Sequence, residues 1–167
     1  KDSAQSSDPL YDSLRKPINK KIGGDIFTAF NDMIEKFFQS EEKSKSLYLI
    51  EPITGIITSI FAPEKGHMGL DYAVPTGTPV YAAAGGLITF SDYTIDSGNM
   101  IIIQHDNNFV TIYKHCSVLL RKARDIVSQG ELIALSGNSG KNTTGPHLHF
   151  EIWQNGKPVD PQKILLK

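Results

Sequence analysis

One cysteine, Cys116, is all the chain contains, so no internal disulfide framework can staple it. A lone thiol is silent about compartment, because proteins without disulfides occur everywhere. No stretch approaches the roughly 18 consecutive apolar residues that a membrane-crossing helix needs. Neither sign of charge is in excess: 17 Lys and Arg against 18 Asp and Glu leave a formal net charge of -1. That balance excludes a global basic field and argues against a nucleic-acid partner. No repeat of fixed period is visible. The loop from Gly137 to Gly145 lacks what a phosphate-binding loop requires. Leu135 stands where its first glycine should be, Asn142 stands where Ser or Thr should be, and a strand pattern follows instead of a helix.

What is present describes a globular protein. An apolar fraction of 40% with 21% charge, over 167 residues, is enough for one ordinary domain with a sizeable core. The chain opens on Lys1 with no apolar signal core behind it. It is expected to be a mature or trimmed form, with room for a signal or membrane anchor upstream.

Residues 1–24 are rich in Ser, Asp, Lys, Pro and Gly and read as a loose lead-in. Gly23-Gly24 breaks the chain, and Asp25 is a suitable N-cap. Ile26, Phe27, Phe30, Met33, Ile34, Phe37 and Phe38 then recur at helical spacing, which predicts an amphipathic helix over about 25–39. Its apolar face is expected to pack on its own domain, to offer a surface to a protein partner or a second copy, or to cover a binding groove. Residues 41–46 are charged and small, and they mark a linker. The expected division is a lead-in of 1–46 and a domain of 47–167.

From residue 47 the pattern changes to short β-branched and aromatic runs separated by Gly, Pro, Asn and Asp. Strands are expected at 47–50, 55–61, 69–74, 78–82, 87–93, 100–105, 109–115, 126–127, 131–135 and 148–153. Pro158 to Pro161 closes the series, with a short tail after it. Many short strands at close spacing predict a mainly β fold with an antiparallel, barrel-like core.

Three polar clusters carry the chemistry. His147 and His149 lie on a strand pattern, where residues two apart share a face, so two imidazoles stand side by side. His67 and Asp71 are four apart at the entry to a strand, and they are expected to point the same way. Tyr113 and His115 end a third strand and are expected on one face. A catalytic zinc takes three protein ligands and keeps one position open. His67, Asp71 and one histidine of the 147/149 pair supply such a set, which leaves the other histidine and His115 free. No His-Glu-x-x-His helix is present to provide a glutamate base. Two unligated histidines can take a proton from water and stabilise the developing oxyanion or protonate the leaving amine. Of the remaining groups, His105 at a hairpin turn is expected to be structural or exposed, and Cys116 a small buried hydrophobe. Lys141 and Asn142, in the loop before the 147/149 pair, are expected to line a substrate groove.

In order and spacing, His67-x-x-x-Asp71, Tyr113-x-His115 and Thr144-Gly145-Pro146-His147-Leu148-His149-Phe150-Glu151 resemble the lysostaphin/LytM-type zinc metalloendopeptidases of bacterial peptidoglycan. The flanking runs Pro52–Phe61, Thr76–Ala82 and Val127–Gly137 are similar too, so the likeness covers roughly residues 50–164. Cys116 stands where the family often has Leu or Met, and Gly66 where lysostaphin-like members have Asn. The resemblance implies His67, Asp71 and His149 as ligands of Zn2+, and His115 and His147 as catalytic histidines. It implies a β core of the duplicated hybrid motif type, a peptidoglycan peptide as substrate, and a periplasmic or extracellular place in the cell envelope. Some relatives have lost ligands and act only as activators of other wall hydrolases. A zinc-binding but non-catalytic activator is therefore the alternative, although all five positions are kept here. A phosphocarrier-like β domain is a more distant alternative, by fold analogy alone.

Overall fold

The computed structural model describes residues 47–166. The lead-in, the expected helix over about 25–39 and the linker lie outside the described residues, and so does the boundary at 46/47.

Thirteen strands occur among the described residues. They are β1 (Leu49–Ile50), β2 (Ile56–Ser59), β3 (Leu70–Ala73), β4 (Pro79–Tyr81), β5 (Gly86–Thr94), β6 (Gly98–Gln104), β7 (Phe109–Cys116), β8 (Val118–Leu119), β9 (Ile126–Val127), β10 (Leu132–Leu135), β11 (His147–Gln154), β12 (Lys157–Val159) and β13 (Leu165–Leu166). All ten strands expected from the sequence pattern are present. The other three, β8, β12 and β13, are too short to show alternation. Pro158 is tolerated in β12 because that strand pairs only with β11. The C-terminal stretch expected as a tail instead pairs in parallel with β1, Leu49 against Leu165 and Ile50 against Leu166.

The main sheet has eight strands, running β2-β3-β11-β7-β6-β5-β9 with β12 beside β11. A second sheet runs β4-β10-β8. The edge strands β2 and β9 do not pair with each other, so the main sheet is open among the described residues and the expected barrel-like closure is not found. The second sheet does what closure would have done. Val80, Ile133 and Ala134 from it join Leu70, Ile88, Ile101, Ile103 and Tyr113 from the main sheet in one core.

β11 lies at the heart of this arrangement. Leu148, Phe150 and Ile152 are fully buried in the core, each worth roughly 1.5–3 kcal/mol of burial. Alternation along the strand then turns His147, His149, Glu151 and Trp153 to the opposite face. β3 pairs with one edge of β11 and β7 with the other, so this face is held rigidly over its length.

Candidate metal centre and its histidines

His149 is paired with Asp71 of β3 on one side and with Lys114 of β7 on the other. This register brings His149 Nδ1 within 2.7 Å of Asp71 Oδ1. His67 does not reach the site by strand alternation as expected. It lies before β3, in an isolated bridge with Ala62. A turn of chain pressed against β11 carries it in: a Cβ on Gly69 would come within 2.1 Å of the Phe150 carbonyl oxygen. That approach is open only to glycine.

The three side chains converge. One donor atom from each of His67, Asp71 and His149 can be chosen with all three within 4.8 Å of one another. His67 Nδ1–H donates to the Ile60 carbonyl at 2.7 Å, which leaves Nε2 as a lone pair facing inward. That nitrogen is buried, has no hydrogen-bond partner, and sits 3.1 Å from Asp71 Oδ2. Two electron-pair donors this close suit a positive charge between them, a proton or a metal ion. Two imidazole nitrogens and a carboxylate oxygen fit zinc with a position left open. Burial alone would raise the Asp71 pKa, yet His149 and His67 hold it well below the usual carboxylate range. Burial works against charge on His149 as well, but Asp71 and Glu151 on its two nitrogens raise its pKa overall.

His115 and His147 stand beside this trio. Their ring centroids are 4.8 Å apart, and His115 is 6.2 Å from the His149 ring. His147 arrives by alternation on β11, and its Nε2 lies 3.9 Å from Asp71 Oδ1. His115 arrives differently. Tyr113 and His115 do not share a face, contrary to expectation: Tyr113 points into the core, where its hydroxyl accepts from the Ala83 N–H at 2.9 Å. In the β6–β7 ladder Ile101 faces Tyr113 and Asn99 faces Cys116, so Lys114 and His115 together oppose Met100 alone. This bulge, with His115 at φ 65, re-aims the imidazole into the cleft. A non-glycine residue in that region is strained by about 1–3 kcal/mol, and such strain gathers at functional sites.

Both histidines are oriented by backbone carbonyls. His115 Nδ1–H donates to Ser139 at 2.9 Å, and His147 Nδ1–H to Gly145 at 2.8 Å. In each ring Nε2 is left for chemistry. Ser139 is itself latched in place, its hydroxyl donating to the Cys116 carbonyl and accepting from the Asn99 N–H. Burial lowers the His115 pKa, and the neighbouring imidazoles add to the effect, against the opposing Ser139 hydrogen bond. His115 is thus poised as a neutral base at pH 7.

Three further groups complete this site: Glu151 and Lys114, for which the sequence suggested no role, and Trp153, expected only as core or groove wall. Glu151 is almost wholly buried and takes His149 Nε2–H at 3.0 Å and Trp153 Nε1–H at 2.6 Å. Lys114 forms an ion pair with the same carboxylate. Burial opposes ionisation of Glu151, but these donors outweigh it and bring the pKa down to about 2. The signal was legible as one face of a strand, 147-149-151-153, but Lys114 needed the register. The cleft over the site has a volume of about 270 Å³ and is lined by both pairs of histidines, Lys114, Asn142 and Glu151 among others. Lys141, expected to line it together with Asn142, is exposed and is not among the lining residues.

Elsewhere, Cys116 is fully buried and its pKa is pushed up to about 12, which makes it an inert apolar residue. His105 is buried rather than exposed, hydrogen-bonded to the Gly85 carbonyl and to Thr111 Oγ1.

Residues 65–161 match the family model described as Peptidase family M23. Among curated proteins, the chain is 43% identical over 107 residues to "Peptidoglycan DD-endopeptidase ShyA" of Vibrio cholerae, covering 64% of this chain and 24% of that protein. It is 45% identical over 100 residues to "DD-carboxypeptidase/endopeptidase Mpg" of Neisseria meningitidis, covering 60% and 23%. It therefore spans about a quarter of the length of these relatives. Among solved structures, a zinc containing peptidase from Vibrio cholerae aligns with TM-score 0.63 and 36% identity, over 72% of this chain and 40% of that one. The catalytic domain of lysostaphin from Staphylococcus simulans aligns with TM-score 0.55 and 30% identity, over 70% and 87%.

Proposed function

The chain belongs to peptidase family M23, and from that membership we propose that it is a zinc-dependent peptidase that hydrolyses peptide bonds of bacterial peptidoglycan in the cell envelope. The DD-endopeptidase names of its relatives support cross-link cleavage between D-configured residues as the reaction. The observation that carries the reading is the convergence of His67 Nε2, Asp71 and His149 Nδ1 beside the two remaining imidazoles.

His67, Asp71 and His149 hold the metal. Zinc there supplies Lewis acidity, both to water and to the scissile carbonyl. His115, kept neutral by burial and oriented by Ser139, accepts the proton of the attacking water at Nε2 and passes it to the leaving amine. His147 Nε2 faces the cleft beside Asp71, placed to hydrogen-bond the oxygen on which negative charge develops once that nitrogen takes up a proton. Its Nδ1–H bond to Gly145 keeps that nitrogen aimed into the cleft. The face of β11 and its partners β3 and β7 hold these groups without rearrangement, which lowers the entropic part of the barrier.

The alternative, a zinc-binding activator without catalysis, needs no free imidazole beside the metal. Two are present, each with an ordered tautomer, which supports hydrolysis instead. Incubation of the purified chain with isolated peptidoglycan, followed by mass analysis of released fragments, tests the reading. Fragments should appear, a chelator should stop them, and added zinc should restore them. Inertness of zinc-loaded protein, with stimulation of a separate hydrolase, would establish the activator instead.

A further inference from the structure

We propose that Glu151 is a positioning residue that fixes the tautomer of His149, presenting Nδ1 rather than Nε2 to the metal. Lys114 and Trp153 hold the carboxylate for that task. The inference rests on the zinc reading above and extends it to residues with no assigned role.

The argument begins with donors and acceptors. Three donors converge on the Glu151 side chain: His149 Nε2–H and the Lys114 ammonium on Oε1, and Trp153 Nε1–H on Oε2. A carboxylate is acceptor-only and takes all three. An amide of the same shape would turn one N–H₂ group towards a donor, so Gln cannot satisfy the set. Glu151 is also almost fully buried, where an ionised carboxylate persists only with such partners.

The consequence falls on His149. With Nε2–H committed to Glu151, the lone pair of the neutral ring lies on Nδ1, the atom 2.7 Å from Asp71 Oδ1. The reverse tautomer would set the Nε2 lone pair against a carboxylate and point a proton at the other ligands. With a metal ion held by His67 and Asp71 it is disfavoured on both sides of the ring. His67 solves the same problem in the opposite sense: a backbone carbonyl holds its Nδ1–H and frees Nε2. Lys114 reaches Glu151 because it is the direct cross-strand partner of His149. The device is therefore built from one strand face and one register.

The test is zinc affinity, measured by competition with a chromogenic chelator at one fixed pH on the full chain. Glu151→Gln should bind zinc about 10–100-fold more weakly, and Trp153→Phe, which removes one supporting donor, should lose less. A second readout is the proton position on His149 in zinc-loaded wild type, by nitrogen-15 NMR of the imidazole. The proton should be on Nε2. A folded Glu151→Gln with unchanged zinc affinity would overturn the inference, even if its melting temperature fell. So would a proton on Nδ1 in the wild type, a result that needs no variant to fold. Failure of the wild type itself to bind zinc would overturn the metal reading and this inference together, whereas tight zinc in both proteins sinks the inference alone.

Discussion

Asp71 and His149 face each other across the β3–β11 ladder, with Oδ1 and Nδ1 2.7 Å apart. They are far apart in sequence, and the pair exists only because two strands settle in one register. A slip of one residue in either strand would turn its member of the pair to the other face of the sheet. Replacing Asp71 by Ala should therefore abolish stoichiometric zinc while the strands remain. Elemental analysis after dialysis, alongside far-UV circular dichroism, measures both. One equivalent of zinc retained by Asp71→Ala would refute its place among the ligands.

His115 and His147 should separate from the ligands in their behaviour. His115→Ala is expected to keep zinc and to lose roughly 10²–10⁴ in kcat/KM, the usual worth of a positioned acid or base. His149→Ala should lose the metal as well as the rate. Comparing metal content with turnover on a cross-linked muropeptide distinguishes the two. Full activity in zinc-loaded His115→Ala would remove it as the base.

The pH profile follows from the direction of the His115 shift. Its pKa lies below the ordinary 6.5, and the neutral form is the active one. The acid limb of kcat/KM should accordingly fall below pH 6.5, measured under conditions that keep zinc bound. A limb centred above that value would contradict the assignment.

Gly69 is the narrowest point of the loop that delivers His67. A Cβ there would meet the Phe150 carbonyl oxygen at 2.1 Å, so Gly69→Ala must push the loop off β11. The expected cost is about 1–3 kcal/mol of stability, together with weaker zinc binding. Gly66 offers the control, because a Cβ there meets nothing within 4 Å and the cost is only that of φ +81. Chemical denaturation and zinc titration of the two variants should rank Gly69→Ala as the more damaged. Equal behaviour would mean that the close approach does not position His67.

His105 supplies a stability prediction outside the site. Burial lowers its pKa from 6.5, against the Gly85 hydrogen bond and the charge of Asp106. The folded protein thus favours the neutral ring, hydrogen-bonded to Gly85 and Thr111. A group with a lowered folded pKa gives an imidazole's full contribution above the unfolded value, and this is lost as pH falls from 6.5 towards the folded one. Denaturation midpoints should decline over that window. Replacing His105 by Gln should flatten the decline and lower stability at neutral pH by about 1–3 kcal/mol, as buried hydrogen bonds are lost. An unchanged slope would mean that His105 is not the group responsible.

Ten strands were legible in the sequence because alternation and punctuation are local properties. The shared face of His147 and His149 was legible for the same reason, and so were the residue types a zinc site needs. The two-residue strands β8 and β13 were not, since their existence depends on what they pair with. Tyr113 and His115 show where a local rule misleads. Alternation put them on one face, but the bulge opposite Met100 and the left-handed backbone at His115 separate them.

The sequence by itself determined the chemistry available: three histidines and an aspartate on or beside short strands, a fourth imidazole at a strand end, and an apolar alternation that turns β11 polar face out. Tertiary structure decided how that chemistry is used. Register set Asp71 against His149 and Lys114 beside Glu151, and the carbonyls of Ile60, Ser139 and Gly145 chose which nitrogen of each ring is free. The physical reason is one of range. Side-chain periodicity is encoded within a few residues, whereas ladder register, a bulge and a backbone acceptor brought from another loop depend on contacts between segments distant in sequence.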